Sequence, residues 1–313
     1  MNREAVEQGA LPNKKKRMSP KTKNLVKKHL FVYGMLSVAI IHFFVFYLYV
    51  NIDSFVMAFQ DQHTGEWGFS NFVLFFNDIA RGANSEILLN LKNTLLYFLT
   101  GLASNLLSFL LAYFIFKKIF LYKIFRFFFV VPMIISGVVL VSIYKNLLGV
   151  GGPIAQVWEL FSGKTAPNFL YDPMYATPAL IVFVLWTGLG MNIILFSGAM
   201  NRIPDSVIEY GRLDGVSSTR EMFQIVLPII APTFGTIMLL SCIGIFNASG
   251  PVLLFSGGRY GTSTINYWMY QYVILNNQLN YAAAFGLVLT LFSLPIFFLM
   301  RWLVGKLPDD VTY

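Results

Sequence analysis

Cysteine is nearly absent from these 313 residues: the single Cys242 permits no intramolecular disulfide, and it lies inside an apolar run, where a thiol behaves as a small hydrophobe. Charge is scarce as well. Asp, Glu, Lys and Arg make up 12% of the chain, against 56% apolar residues. A water-facing surface carries roughly a quarter charged residues, so most of this chain does not face water. His29, His42 and His63 are too scattered to form the His, Asp or Glu cluster that an integral membrane enzyme needs. In the second, fourth and fifth apolar runs no Asp, Glu, Lys or His stands in mid-span, which argues against a proton- or sodium-coupled pump with an acidic relay. GVGG at 149–152 is followed by no GKS or GKT and is no phosphate loop. No small-residue cleavage site follows the first apolar run, so that run is read as an uncleaved membrane helix and not as a signal peptide.

What the chain does have is apolar length. Six runs, at 31–51, 93–116, 126–145, 176–199, 226–248 and 281–304, reach the twenty or so residues needed to cross a bilayer. The expected fold class is all-α, a polytopic membrane protein with six transmembrane helices. Of the 23 Lys and Arg, 18 fall in the N-terminal tail, the second and fourth connections and the C-terminal end, against 5 in the odd-numbered connections. The positive-inside rule then puts both termini and the 201–228 loop in the cytoplasm. The expected organisation is a basic cytoplasmic tail (1–30), a six-helix domain (31–304) and a short cytoplasmic C-terminus (305–313), without a separate catalytic domain. The tail lysines serve as a topology anchor and a contact for anionic headgroups, not for nucleic acid.

Polar residues inside the runs are few and therefore informative. Asn105, Trp186, Asn192, Ser241 and Asn247 supply amides, a hydroxyl and an indole at intramembrane or margin positions. An unpaired amide in hydrocarbon is costly, so each either joins helices or faces a solute. As a set they suit a neutral, hydroxyl-rich solute. Pro132 should bend or interrupt the third helix, and Ile154 to Phe161 reads as a short amphipathic helix after the Gly-rich break.

The segment 201–228 is a polar island with internal order. Pro204 and Asp205 mark a helix start. Glu209 and Arg212, three apart, can pair on one face. Gly215 permits a left-handed turn. Ser217 or Ser218 then caps a second helix, with Glu221 as its capping-box partner, and Pro228 opens the fifth span. The expected shape is helix, glycine turn, helix.

The run EYGRLDG from Glu209 to Gly215, with Leu227-Pro228 twelve residues on, resembles the EAA loop of the permease subunits of binding-protein-dependent ABC importers. Its usual form is E-A-A-x-x-D-G-A followed by I-x-L-P. Glu209, Asp214, Gly215, Ile225, Leu227 and Pro228 fit; Tyr210, Gly211 and Val216 replace the alanines. NRIP at 201–204, Arg126 with Pro132, and GGRYGTST at 257–264 resemble the carbohydrate-importing branch. The resemblance covers about residues 30–305. It implies a type I importer permease fold in a bacterial cytoplasmic membrane. It also implies ATPase coupling through Glu209, Tyr210, Gly211, Asp214, Gly215, Leu227 and Pro228, and no catalysis by this chain. The partners implied are a second homologous permease, a cytoplasmic ATPase dimer and an external solute-binding protein. This chain would bind no cofactor; ATP and Mg would sit on the ATPase. A permease for another small solute shares this loop, whereas a secondary transporter or channel does not need it.

Overall fold

The computed structural model describes residues 20–247 and 250–306. Residues 1–19 and 307–313, most of the expected tail and C-terminus, lie outside the described residues. Among the described residues the named elements are helical, with one isolated antiparallel bridge between Gln60 and Trp67. The chain separates into two units, residues 1–54 and 55–313.

In the first unit α1 (Pro20–His42) passes through a π-helical stretch, Phe43–Tyr49, into α2 (Val50–Ala58). Its polar side chains turn back on their own helix: Asn51 Nδ2 donates to the Tyr47 carbonyl at 2.6 Å and Ser54 Oγ to that of Val50 at 2.8 Å. That is what a hydrocarbon environment demands of a polar group with no water to bond.

The second unit contains α3 (Ser70–Ala80), α4 (Glu86–Phe116), α5 (Tyr122–Ile134), α6 (Gly137–Leu148), α7 (Pro153–Ser162) and α8 (Ala176–Met200). The 201–228 segment forms α9 (Asp205–Leu213), α10 (Ser218–Arg220), a π-helical turn (Glu221–Val226) and α11 (Leu227–Ile229). Then follow α12 (Ala231–Ile243), α13 (Gly250–Phe255), α14 (Ile265–Ile274) and α15 (Leu279–Val304). Five helical stretches are long and apolar enough to cross a membrane: Lys27–Ala58, Glu86–Phe116, Gly137–Ser162, Ala176–Met200 and Leu279–Val304. A sixth is a bent pair, Ser218–Ile229 with Ala231–Ile243, turned by 78°.

Three boundaries differ from the apolar runs. Helix α4 begins seven residues before its run, because Ser85 Oγ caps it by accepting from the Leu88 amide at 3.1 Å. Asp78 reinforces that start, accepting from the Ser85 hydroxyl at 2.8 Å and the Ile87 amide at 3.2 Å. The run 126–145 is not one helix. Pro132 stays helical, but Ile135 and Ser136 are extended, with ψ of 140° and 135°, before α6 restarts at Gly137. Proline removes one backbone bond and Ser136-Gly137 propagate a helix poorly, so the chain leaves the helix just after the weakened turn. The run 226–248 bends at Ile230, where Pro232 lacks the amide that would have continued the ladder from α11.

Helix α4 runs through the middle of this unit, packing against α5, α8, α12 and α14. At one end Tyr97 joins Tyr144, Phe183, Phe255 and Tyr267 in an aromatic core. At the other, Phe109 and Tyr113 join Phe196, Met200, Ile208, Val226 and Ile230. Sixteen residues separate Tyr97 from Tyr113, about 24 Å along a helix, so the two cores are well separated along α4. Helix α8 comes close to α5 only because position 190 is glycine: a Cβ there would stand 2.8 Å from the Phe129 carbonyl oxygen.

Candidate coupling loop and intramembrane polar cluster

Helix α9 starts at Asp205, with its carboxylate in the first turn, and ends in a glycine turn. The Val216 amide donates to the Gly211 carbonyl and the Gly215 amide to that of Arg212, both at 3.0 Å. This pair of bonds is a Schellman motif, with Gly215 at φ +72° in the left-handed position that the motif needs. The expected helix, glycine turn and helix are all present.

The inner face of α9 carries Ile208, which is buried, and Gly211, whose added Cβ would stand 2.9 Å from Ile225 Cδ1. The small residue here lets α9 lie flat on the π-helical turn. The outer face carries Glu209, Tyr210, Arg212, Leu213 and Asp214, all exposed. Tyr210 is 68% and Leu213 81% exposed, so the apolar residues at 210 and 213 do not join the core as Ile208 does. Glu209 and Arg212 form no ion pair; among the described residues the ion pairs are Arg81–Asp78 and Lys117–Glu221. Leu227 and Pro228 are half-buried, with Leu227 packed on the Phe196–Val226 core, and they stand on the loop side of the 78° bend.

Glu221 is not a capping-box residue. Ser217 occupies the cap position of α10 without a side-chain bond, and Glu221, 2% exposed, points inward. Lys117 Nζ donates to its two carboxylate oxygens at 2.7 and 2.8 Å. The Tyr113 hydroxyl lies 3.2 Å from Glu221 Oε1 and 2.9 Å from the Ser218 carbonyl oxygen, and shares its proton between them. Removing one partner of such a buried pair costs about 3–5 kcal/mol, because the other charge stays desolvated. Reasoning from sequence missed this site: Lys117 counted only toward topology. The available signal was Glu221 beside Met222 and one turn before Val226, both buried.

About 18 Å from Lys117 along α4, Asn105 makes a second polar cluster. Its Nδ2 donates to Ser241 Oγ of α12 at 2.7 Å, and its Oδ1 accepts from Asn192 Nδ2 of α8 at 2.7 Å. Ser241 in turn donates to the Ile237 carbonyl at 3.1 Å. Asn105 is buried, and Asn192 and Ser241 are half-buried. The structure thus brings three of the five candidate solute-facing residues together. Trp186 stands apart, its ring between Phe128 and Phe183 at 6.4 and 6.5 Å, and its Nε1 is buried without a hydrogen-bond partner among the described residues. Asn247 is exposed in the turn after α12.

A family model described as "Binding-protein-dependent transport system inner membrane component" matches residues 104–308, the stretch that holds both clusters. The arabinooligosaccharides transport system permease protein AraP of Bacillus subtilis (strain 168) is 26% identical over 281 residues, covering 87% of each chain. The polygalacturonan/rhamnogalacturonan transport system permease protein YteP of the same strain is 27% identical over 290 residues, again 87% of each. Among solved structures, a chain of a bacterial ABC transporter involved in import of the acidic polysaccharide alginate superposes with TM-score 0.78 at 23% identity. That match covers 92% of this chain and 100% of the other, and it bears on the fold. With the family model spanning well over half its length, the chain belongs to the inner-membrane components of binding-protein-dependent transport systems.

Proposed function

We propose that this chain is the membrane-spanning permease subunit of an ATP-driven importer of a sugar or oligosaccharide, and that its 201–228 loop is the face that engages the ATPase. One observation carries the coupling assignment. Tyr210 and Leu213 project from a loop whose neighbours Glu209, Arg212 and Asp214 are also exposed. Charged neighbours keep this surface out of hydrocarbon, and two large apolar side chains held out on a polar loop mark a protein contact. Glu209, Tyr210, Asp214 and Gly215 form the contact surface, and Gly211 seats it on the body. Leu227 and Pro228 carry its displacement across the bend into α12. ATP and Mg act on the partner ATPase dimer, whose closure moves the loop and switches the helices between inward- and outward-facing states. An external binding protein delivers the solute, and a second, homologous permease completes the pathway. This chain breaks no bond.

The names of AraP and YteP favour a carbohydrate cargo. So does a pathway whose polar groups are amides, a hydroxyl and an indole. Asn192 and Trp186 meet the solute in this reading, with Asn247 at one margin, while Asn105 and Ser241 set the spacing of the helices that line the path.

Leu213→Asp keeps the helix but places a charge in the contact. Co-purification of the ATPase from detergent-solubilised membranes should be lost, with the permease still present in the membrane at its normal level. If the ATPase stays bound, the docking face lies elsewhere. Uptake of an arabinooligosaccharide by the reconstituted importer, against a dipeptide and an amino acid, tests the cargo class; transport of the dipeptide or amino acid in place of the sugar would overturn it.

A further inference from the structure

We infer that Lys117, Glu221 and Tyr113 clamp the coupling loop to α4, so that loop and helix move as one body; the two charged residues are then positioning residues for energy coupling. This rests on the proposed role of the loop. The other contacts between the loop and the body are largely apolar, with Ile208, Val226 and Ile230 set against Phe196 and Met200. Such contacts are non-directional, so they hold the surfaces together without fixing one orientation by directed bonds. The clamp differs in kind: Lys117 reaches both oxygens of a single carboxylate, and Tyr113 bonds both that carboxylate and the Ser218 carbonyl. Directed bonds from two residues on successive turns of α4 resist both rotation and shear of the loop. Lys117 is also the C-cap of α4, where a cation is favoured by the helix dipole.

The placement gives the clamp a purpose beyond stability. The other ion pair among the described residues, Arg81–Asp78, is local in sequence and solvent-facing on its Arg81 side. Lys117–Glu221 spans 104 residues and joins the loop to the helix that carries Asn105. Asn105 in turn holds α8 and α12. A displacement imposed on α9 by a partner therefore reaches the helices around the candidate solute path through α4, and not only through the bend at Ile230.

The test uses the importer assembled with its second permease and ATPase. Spin labels are placed at Thr219 in the loop and Leu106 on α4, both exposed, in a Cys242→Ser background. With Lys117 and Glu221 intact, pulsed electron resonance should give one narrow distance that is the same without nucleotide and after trapping with ATP and vanadate. In Glu221→Gln the distance should broaden or shift on trapping only, and the exchanged pair Lys117→Glu/Glu221→Lys should restore it. A residue that merely stabilised the fold would alter both states alike. If Glu221→Gln fails to reach the membrane, Tyr113→Phe, which removes one hydroxyl, gives the same reading in milder form. A narrow, nucleotide-independent distance in these variants overturns the clamp. Failure of the unaltered chain to hold the ATPase overturns the coupling-loop reading instead.

Discussion

At position 215 the backbone and the surface make separate demands. Gly215 has φ +72°, and a Cβ there would meet nothing within 4 Å. Alanine therefore adds only left-handed strain, roughly 1–2 kcal/mol for an L-residue, whereas tryptophan adds bulk that enters whatever lies outside the loop. Gly215→Ala should leave the ATPase bound with reduced ATP-driven uptake; Gly215→Trp should release it. Equal effects on co-purification would mean that the turn, not the contact, accounts for both. Gly211 faces the other way. A methyl group there meets only Ile225 Cδ1, the movable end of that side chain, so Gly211→Ala should change stability by less than about 1 kcal/mol, the gain in helix propensity offsetting the shift of Ile225. Gly211→Leu exceeds what that one carbon can give, and should lower the melting temperature where Gly211→Ala does not. The left-handed glycine was legible in sequence, because Gly after a short amphipathic helix has one common use. The close contact at 211 was not, since it depends on a neighbour fourteen residues away.

Among the elements, α4 joins the most parts of the unit. Its length could be read only in part from hydropathy: the first seven residues are held by Ser85 and Asp78, not by an apolar run. The break at Ile135–Ser136 was foreshadowed by Pro132, whereas the bend at Ile230 was not expected; hydropathy averages over such breaks and gave single spans. Asn105 was legible as a residue that needed a partner, and the partners came only with packing. Asn105→Leu would remove the partner of half-buried Asn192, while Ser241 keeps its bond to the Ile237 carbonyl, and a polar group left unpaired on burial costs about 1–3 kcal/mol. Its melting temperature in detergent should fall, and Asn105→Leu combined with Asn192→Leu should regain part of the loss. A stable single variant would mean that water reaches the cluster.

For the molecule as a whole, the distribution of Lys and Arg sets the expected orientation, and the proposed coupling role requires the 201–228 loop to lie on the ATPase side. In a Cys242→Ser background, single cysteines at Lys118 or Ser218 should react with a membrane-impermeant maleimide only after permeabilisation. Cysteines at Thr64 or Lys164 should react in intact cells. The opposite pattern would invert the topology and remove the loop from the ATPase.

Composition by itself determined that this is a helical membrane protein, the charge distribution set an expected orientation, and the resemblance at 201–228 marked the loop proposed to dock a motor. Those properties are sums over many residues or a local motif, and neither needs a fold to be read. Tertiary structure alone decided that Tyr210 and Leu213 face outward, that Glu221 is a buried partner of Lys117 rather than a cap, and that Asn105 bridges α8 and α12. Each of these depends on which residues, between 87 and 136 positions apart for the polar pairs, come within a hydrogen bond's reach or leave a surface uncovered. In a low-dielectric interior the cost of an unpaired polar group selects those partners, and sequence spacing carries no record of the choice.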